Sequence, residues 1–476
     1  MLHIRRLALT GVIALFLLPT ARAEVRLAKI FSDNMVLQRD SLAPIWGWDK
    51  AGAQVTVTMG TIKSTGTADA SGKFQVNLPP TKAGGPHTLE IEGTSKVTLK
   101  NVLFGEVWLC SGQSNMEWSV ASSTNAKEEI SKGSRPTIRH IKIQKVPSDK
   151  PQAEAVTSGW QDCTPATVGN FTAVGYFYAL ALQKELDVPI GLIGSNWGGT
   201  RIEPWTTPDG FRHIPSLKNI ADNLDKFPAK DASGKASSGS PLSLYNGMIA
   251  PLVPYGMRGA IWYQGESNNG EGMLYADKMN ALIHGWRKLW NNADMPFYYV
   301  QLAPYDYAKG PDKTSKLAGI WEAQTAVLKT PGTGMAGTCD ISDIKDIHPK
   351  NKQDVGKRLA LWALAHTYGK KDIVYSGPIY KGMKTEGNKI VLEFNHTGSG
   401  LVSRNGRPLT NFEIAGSDKK FVPAKAAIEG NTIVVTATGV SQPAAVRFGW
   451  HEEAEPNLSN KDGLPAIPFR TDTWAD

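Results

Sequence analysis

The chain has 476 residues, 41% of them hydrophobic, which is enough apolar material for a sizeable core and more than one domain commonly holds. Against 44 acidic residues stand 52 lysines and arginines, a net charge of +8 spread along the chain without a Lys/Arg block, which argues against a nucleic-acid partner. Three cysteines, Cys110, Cys163 and Cys339, are too few for a disulfide scaffold, and none has the CxxC spacing of a zinc or redox site.

At the N-terminus Arg5 and Arg6 precede an apolar run from Leu7 to Leu18, and Ala21 and Ala23 are small residues where a signal peptidase reads. Residues 1–23 are therefore expected to be a cleaved secretory signal, the apolar run being shorter than the roughly 18 residues a membrane anchor needs. Cleavage takes three arginines and no acid, leaving +5. The mature protein is expected in the periplasm or outside the cell, with no membrane association.

Residues 24–100 read as short runs of alternating polarity, such as 54–59, 73–78 and 87–91, separated by Gly, Pro, Ser and Lys turns. That pattern predicts a small antiparallel β-domain. From about 101 to 369 strands alternate with helices. Strands are expected at 107–110, 190–193, 259–263, 297–302 and 337–341, and helices at 171–186, 275–289, 317–329 and 355–366. Alternation of this kind predicts an α/β fold with a mostly parallel central sheet covered on both faces, whose ligands gather at the carboxyl ends of the strands. An excursion at about 203–244, rich in Pro, Lys, Ser and Gly, is too long for an ordinary loop and is expected to be ordered with a mobile tip, forming one wall of a cleft. After Gly369 the strand pattern returns and predicts a second β-domain over 370–476.

The unusual residues fall in four loops of the central region: Gly112-Gln113-Ser114-Asn115-Met116, Gly194-Ser195-Asn196-Trp197-Gly198-Gly199, Gln264-Gly265-Glu266-Ser267-Asn268 and Asp346-Ile347-His348-Pro349. A serine nucleophile needs a base, a group that orients the base, and donors for the oxyanion. Ser114 is the candidate nucleophile, His348 the general base and then acid, and Asp346 the orienting acid. Backbone N–H groups of Ser114 and of Gly198 or Gly199 are the candidate oxyanion donors, with Gln264 or Asn268 adding a side-chain donor. His348 stands out among nine histidines because an acid lies beside it on a loop that follows a strand.

These blocks, together with Leu244-Tyr245-Asn246-Gly247-Met248 and Asn351-Lys352, resemble the sialate O-acetylesterase-like branch of the SGNH hydrolases, in order from about 101 to 369. The resemblance implies an SGNH-hydrolase-like α/β sandwich flanked by N- and C-terminal β-domains, with Ser114 as nucleophile, His348 as catalytic histidine, and the glycine pair with Gln264-Gly265 lining the oxyanion hole. One position departs from the common pattern: three residues before the histidine, where many SGNH enzymes carry the acid, stands Lys345. Asp346 is the acid of the Asp-Ile-His-Pro form, and Asp343, Glu266 or a Ser-His dyad are the other options.

The expected function is a secreted serine esterase that removes O-acetyl groups from carbohydrate, needing neither cofactor nor metal. Plant polysaccharide or its oligosaccharides are slightly favoured over sialic acid as substrate. Asn115, Arg201, Glu266 and Asn268 are the candidate substrate-binding residues; Arg201 pairs either with a sugar carboxylate or internally with Glu203. Trp118, Trp197, Trp205 and Tyr263 are either core residues or stacking surfaces for sugar. The competing readings are a catalytically inactive carbohydrate-binding protein and a glycosidase using two of Glu266, Asp340 and Asp346, which leaves Ser114 without a role.

Overall fold

The computed structural model describes residues 24–307 and 316–474; the expected signal at 1–23 lies outside the described residues. Its centre is an 11-stranded sheet built around one long strand, Lys96–Gly112. The first part of that strand pairs antiparallel with Gly84–Glu92, which connects it to Gln54–Met59 and Ile62–Thr67 of the N-terminal β unit. Its second part pairs in parallel with Ile190–Asn196 on one side and Gly259–Tyr263 on the other. Further parallel partners are Arg135–Ile143 beyond the first, and Phe297–Val300 and Thr333–Ala336 beyond the second. Thr157–Cys163 closes that edge antiparallel.

The sheet is therefore mixed, a correction to the mostly parallel sheet expected. The cause is that one strand serves both units, and the expected junction near residue 100 falls inside it. Its burial changes along its length to match: alternating over the first residues, where one face meets solvent, and continuous from Val102 to Gly112. Ile190–Asn196, Gly259–Tyr263, Phe297–Val300 and Thr333–Ala336 are buried at every residue, as strands covered on both faces must be. The covering helices are Ala173–Leu186, which packs on Lys352–Trp362, and Leu274–Leu289, which packs on Lys316–Val327. The last parallel strand lies earlier than expected: Thr333–Ala336 take the register opposite Phe297–Val300, and Gly337 already begins the loop that carries Asp346 and His348.

Residues 203–226 form a chain of short helices, including Pro208–His213, whose Thr207 cap accepts the Gly210 N–H at 3.0 Å, and residues 227–240 follow as turns. Phe211, Leu217 and Leu242 bury against Ala281 of the helix Leu274–Leu289 in a small core of their own. C-terminal to the α/β region, two four-stranded sheets and one two-stranded sheet enclose a separate apolar cluster that includes Ile390, Leu392, Ile414, Ile433, Val446 and Phe448. Among the described residues no helix is long and apolar enough to cross a membrane. The three cysteines are buried and none is disulfide-bonded.

Candidate active site

Register brings the loops together. Asn196 and Tyr263 are both paired with Gly112, so three adjacent parallel strands end in one row and their loops leave from the same level. Gly112 has φ +131° and a Cβ there would meet the Tyr263 carbonyl oxygen at 2.1 Å, so only glycine fits where the chain turns toward Ser114. The turn is closed by backbone bonds from Gln113 N–H to the Tyr263 carbonyl and from Trp197 N–H to the Gly112 carbonyl, each 3.0 Å.

Ser114 opens the short helix Ser114–Glu117, a position whose N–H has no intrahelical acceptor. Its Oγ lies 2.9 Å from His348 Nε2, a bond between residues 234 apart in sequence. Asp346 is beside the imidazole but not bonded to it: Oδ1 stands 3.7 Å from Nδ1 and accepts the His348 backbone N–H at 2.9 Å. Trp118 stacks on the imidazole with centroids 4.8 Å apart and 17° between planes, restraining the ring's tilt. Burial, and after it the Lys352 ammonium, hold the His348 pKa below its ordinary value of 6.5, while Asp346 pulls the other way.

Gly198 approaches Ser114 closely, since a Cβ on it would lie 3.2 Å from Ser114 Cβ. Its N–H donates to Glu117 Oε2 at 2.8 Å, and Glu117 in turn pairs with Lys145 at 2.7 Å. Gly199 has φ +74° and open space around it.

The other expected site residues turn inward. Gln264 is fully buried and its Nε2 contacts Gln113 Oε1, the Thr200 carbonyl and Asn268 Oδ1 at 2.8–3.2 Å, so it is not aimed at an oxyanion. Asn268 accepts the Ile202 N–H at 3.1 Å and donates to Glu203 and Glu271 at 3.2 and 3.1 Å. Arg201 donates to the Ser267 carbonyl at 3.0 Å and to Glu203 at 3.0 Å, and also to Glu271. Lys278, 5% exposed, joins the same two carboxylates at 2.7 Å. Burial alone would raise the Glu203 carboxyl, but Lys278 and Arg201 overcome it and hold it at about 2. Two cations thus meet two carboxylates, and Arg201 takes the internal pairing. Asn115 is buried as well, bonding Glu266 and the Ile347 carbonyl. Trp205 and Tyr263 are fully buried core residues, whereas Trp197 is partly exposed, with the Lys145 ammonium 5.9 Å above its ring.

Two contributors carried no assigned role in the sequence reading. Glu117 engages Gly198, and Lys352 is a fully buried cation. Lys352 had a signal: a lysine in the first turn of a helix opposes the helix dipole and needs a local reason to be there. Among the described residues no group of three or more His, Cys, Asp or Glu side chains is arranged to hold a metal ion. Chemically, the cluster presents a hydroxyl on a histidine nitrogen, a nearby carboxylate and backbone donors, the parts of an acyl-transfer centre.

Comparison with known proteins gives the family. The profile of the family described as carbohydrate esterase, sialic acid-specific acetylesterase, matches residues 104–365. The chain is 30% identical to the sialate O-acetylesterase of Rattus norvegicus over 488 residues, which cover 89% of each protein. It is 30% identical to that of Homo sapiens over 493 residues, covering 93% of this chain and 92% of the human protein. Among solved structures, a carbohydrate acetylesterase from Xanthomonas citri superposes with a TM-score of 0.87 at 39% identity, covering 95% of this chain and 100% of that one.

Proposed function

Because the chain belongs to the sialic acid-specific acetylesterase family of carbohydrate esterases, and is thus a carbohydrate O-acetylesterase, a carboxylic ester hydrolase, we propose that it works through a serine acyl-enzyme route. The observation that carries this reading is the 2.9 Å contact of Ser114 Oγ with His348 Nε2 at the carboxyl ends of strands that finish in register. Neutral His348 takes the Ser114 proton as Oγ attacks the acetyl carbonyl, and Asp346 stabilises the imidazolium that results. The oxyanion is met by the Ser114 and Gly199 N–H groups, and by Gly198 N–H once Glu117 yields it. Collapse of the tetrahedral intermediate breaks the ester bond and the departing sugar hydroxyl takes the proton from His348. Water then attacks the acetyl-serine, His348 again removing the proton, and acetate leaves with Ser114 restored.

The reading extends to substrate. Neutral acetylated polysaccharide or its oligosaccharides fit better than sialic acid, because Arg201, the cation expected to hold a sugar carboxylate, is spent on Glu203 and Glu271. Acetate release from acetylated xyloglucan oligosaccharides and from 9-O-acetyl sialic acid, with Ser114→Ala as control, tests reaction and substrate together. Release from the oligosaccharide that the variant abolishes is expected; release from the sialic acid alone reverses the substrate assignment, and undiminished release by the variant removes the mechanism. The N-terminal arginines and the apolar run at 7–18 support export to the periplasm or beyond, which sequencing of the mature N-terminus checks at residue 24.

A further inference from the structure

Behind the nucleophile lies a buried polar chain that the reaction steps above leave unused. Asn115, 1% exposed and next to Ser114, donates one amide hydrogen to Glu266 Oε1 at 2.5 Å and the other to the Ile347 carbonyl at 3.0 Å. Its Oδ1 accepts from Lys352 Nζ. Every bond the Asn115 side chain makes is thus assigned: an ammonium can only donate and a carboxylate and a carbonyl only accept, so the amide has one orientation. Lys352 is fully buried, 5.2 Å from the centre of the Tyr263 ring and 5.8 Å from that of Trp118, the indole that stacks on His348. Glu266 Oε2 is buried without a hydrogen-bond partner among the described residues. Burying an ammonium and a carboxyl group on either side of one amide carries a desolvation cost that well-packed apolar side chains would not, so their presence beside Ser114 calls for a reason other than stability.

We propose that Lys352 and Glu266 are positioning residues for hydrolysis: acting through Asn115, they hold the Ile347 carbonyl, and with it the adjoining His348, at bonding distance from Ser114. The inference rests on the Ser114–His348 reading. Without the ammonium the Asn115 Oδ1 loses its only donor, and the amide, then held through its nitrogen alone, is free to tilt and let the Ile347 carbonyl shift. The charged groups facing His348 are Asp346 on its own loop, Lys352 on the following helix and, across Asn115, Glu266 on the loop after Gly259–Tyr263; Glu117 on the nucleophile's helix turns instead to Gly198. Burial lowers the Lys352 pKa to about 7 against the opposing pull of Glu266 and Asp346, and burial raises that of Glu266.

The test uses the full chain with an activated acetyl ester, 4-nitrophenyl acetate, in Lys352→Met, Lys352→Arg, Glu266→Gln and Ser114→Ala, each checked by thermal melting. Lys352→Met is expected to lower kcat about 10- to 100-fold with KM within about twofold, the scale of a slight misplacement of a catalytic group. The acid midpoint of its kcat profile moves to higher pH, because a cation that depresses His348 is gone. Lys352→Arg recovers part of the rate, and Glu266→Gln, which keeps an acceptor for Asn115, loses less than Lys352→Met. Wild-type kcat and midpoint in a folded Lys352→Met, with Ser114→Ala inactive, overturn this inference alone; activity persisting in Ser114→Ala overturns the reading beneath it. If Lys352→Met does not fold, the other two decide: unchanged kcat in both Glu266→Gln and Lys352→Arg refutes the proposal, and a loss in either at unchanged KM supports it.

Discussion

Asp346→Asn separates a hydrogen-bonded triad from the arrangement this protein has. The carboxylate oxygen lies 3.7 Å from His348 Nδ1 and spends its hydrogen bond on the His348 backbone N–H, so it acts on the imidazolium by charge. At 3.7 Å that attraction is about 4.5 kcal/mol for an effective dielectric of about 20 and about 1 kcal/mol in water. The two side chains are 27% and 36% exposed, and solvent screening draws the value toward the lower half of that range, about 1 to 2.5 kcal/mol. Asparagine keeps an acceptor oxygen for the backbone N–H and removes only the charge. The expected loss in kcat/KM is therefore about 5- to 70-fold, far from the roughly 10⁴-fold seen when a buried, hydrogen-bonded aspartate is neutralised. Initial rates of 4-nitrophenyl acetate hydrolysis across pH 5 to 9 provide the assay. In the wild type the base must be neutral, so the rate is present at high pH and falls as pH drops through the His348 pKa, which burial and Lys352 place below the ordinary 6.5. Asp346 opposes that depression, so the variant's acid limb moves to still lower pH. A loss of about 10³-fold or more would refute the reasoning, because it would mean the carboxylate closes onto Nδ1 during turnover.

Four further substitutions follow from the same geometry. Ser114→Ala and His348→Ala should each lower kcat by about 10³-fold or more with the melting temperature preserved, and the double variant should be no worse than either, since the pair acts as a unit; additive losses would refute a shared step. Gly198→Ala places a methyl group 3.2 Å from Ser114 Cβ and 3.4 Å from Glu117 Oε2, so steady-state kinetics should show kcat reduced about 10- to 100-fold. Arg201→Met should lower the melting temperature by leaving Glu203 and Glu271 with one cation between them, while KM for acetylated oligosaccharides stays within about twofold of wild type; a large rise in KM would return Arg201 to the binding site.

The Ser114–His348 contact was legible because its signal is local. A Gly-Gln-Ser-Asn turn after an apolar strand, and an Asp two residues before a His on a loop, each state their chemistry in a few residues. The partners of the surrounding polar residues were not legible. Gln264, Asn268, Asn115 and Arg201 sit in or beside loops that leave the sheet at the same edge as Ser114, and nothing in their identity says whether a carboxylate such as Glu203 or Glu271 waits behind them. The mixed sheet was hidden for a related reason: Lys96–Gly112 alternates where it faces solvent on one side and is mostly apolar, Glu106 and Ser111 apart, where it is covered on both, so one strand reads as the end of one domain and the start of another.

That inward turn has a common cause. Three strands ending in one row force three polar loops into a small volume, and buried donors and acceptors there must satisfy one another or cost the full price of desolvation. Gln113 Oε1 illustrates it, accepting from Gln264 Nε2 at 3.1 Å and from the N–H groups of Gly265 and Ser267 at 3.5 and 3.3 Å. A residue so engaged cannot bind an acyl group without breaking the loop that presents the nucleophile. In the proposed mechanism, recognition of the reacting ester therefore falls to backbone N–H groups, which need no side-chain space, and discrimination among acetylated sugars is expected of the partly exposed side chains, of which Trp197 and Lys145 stand beside the Gly198 turn.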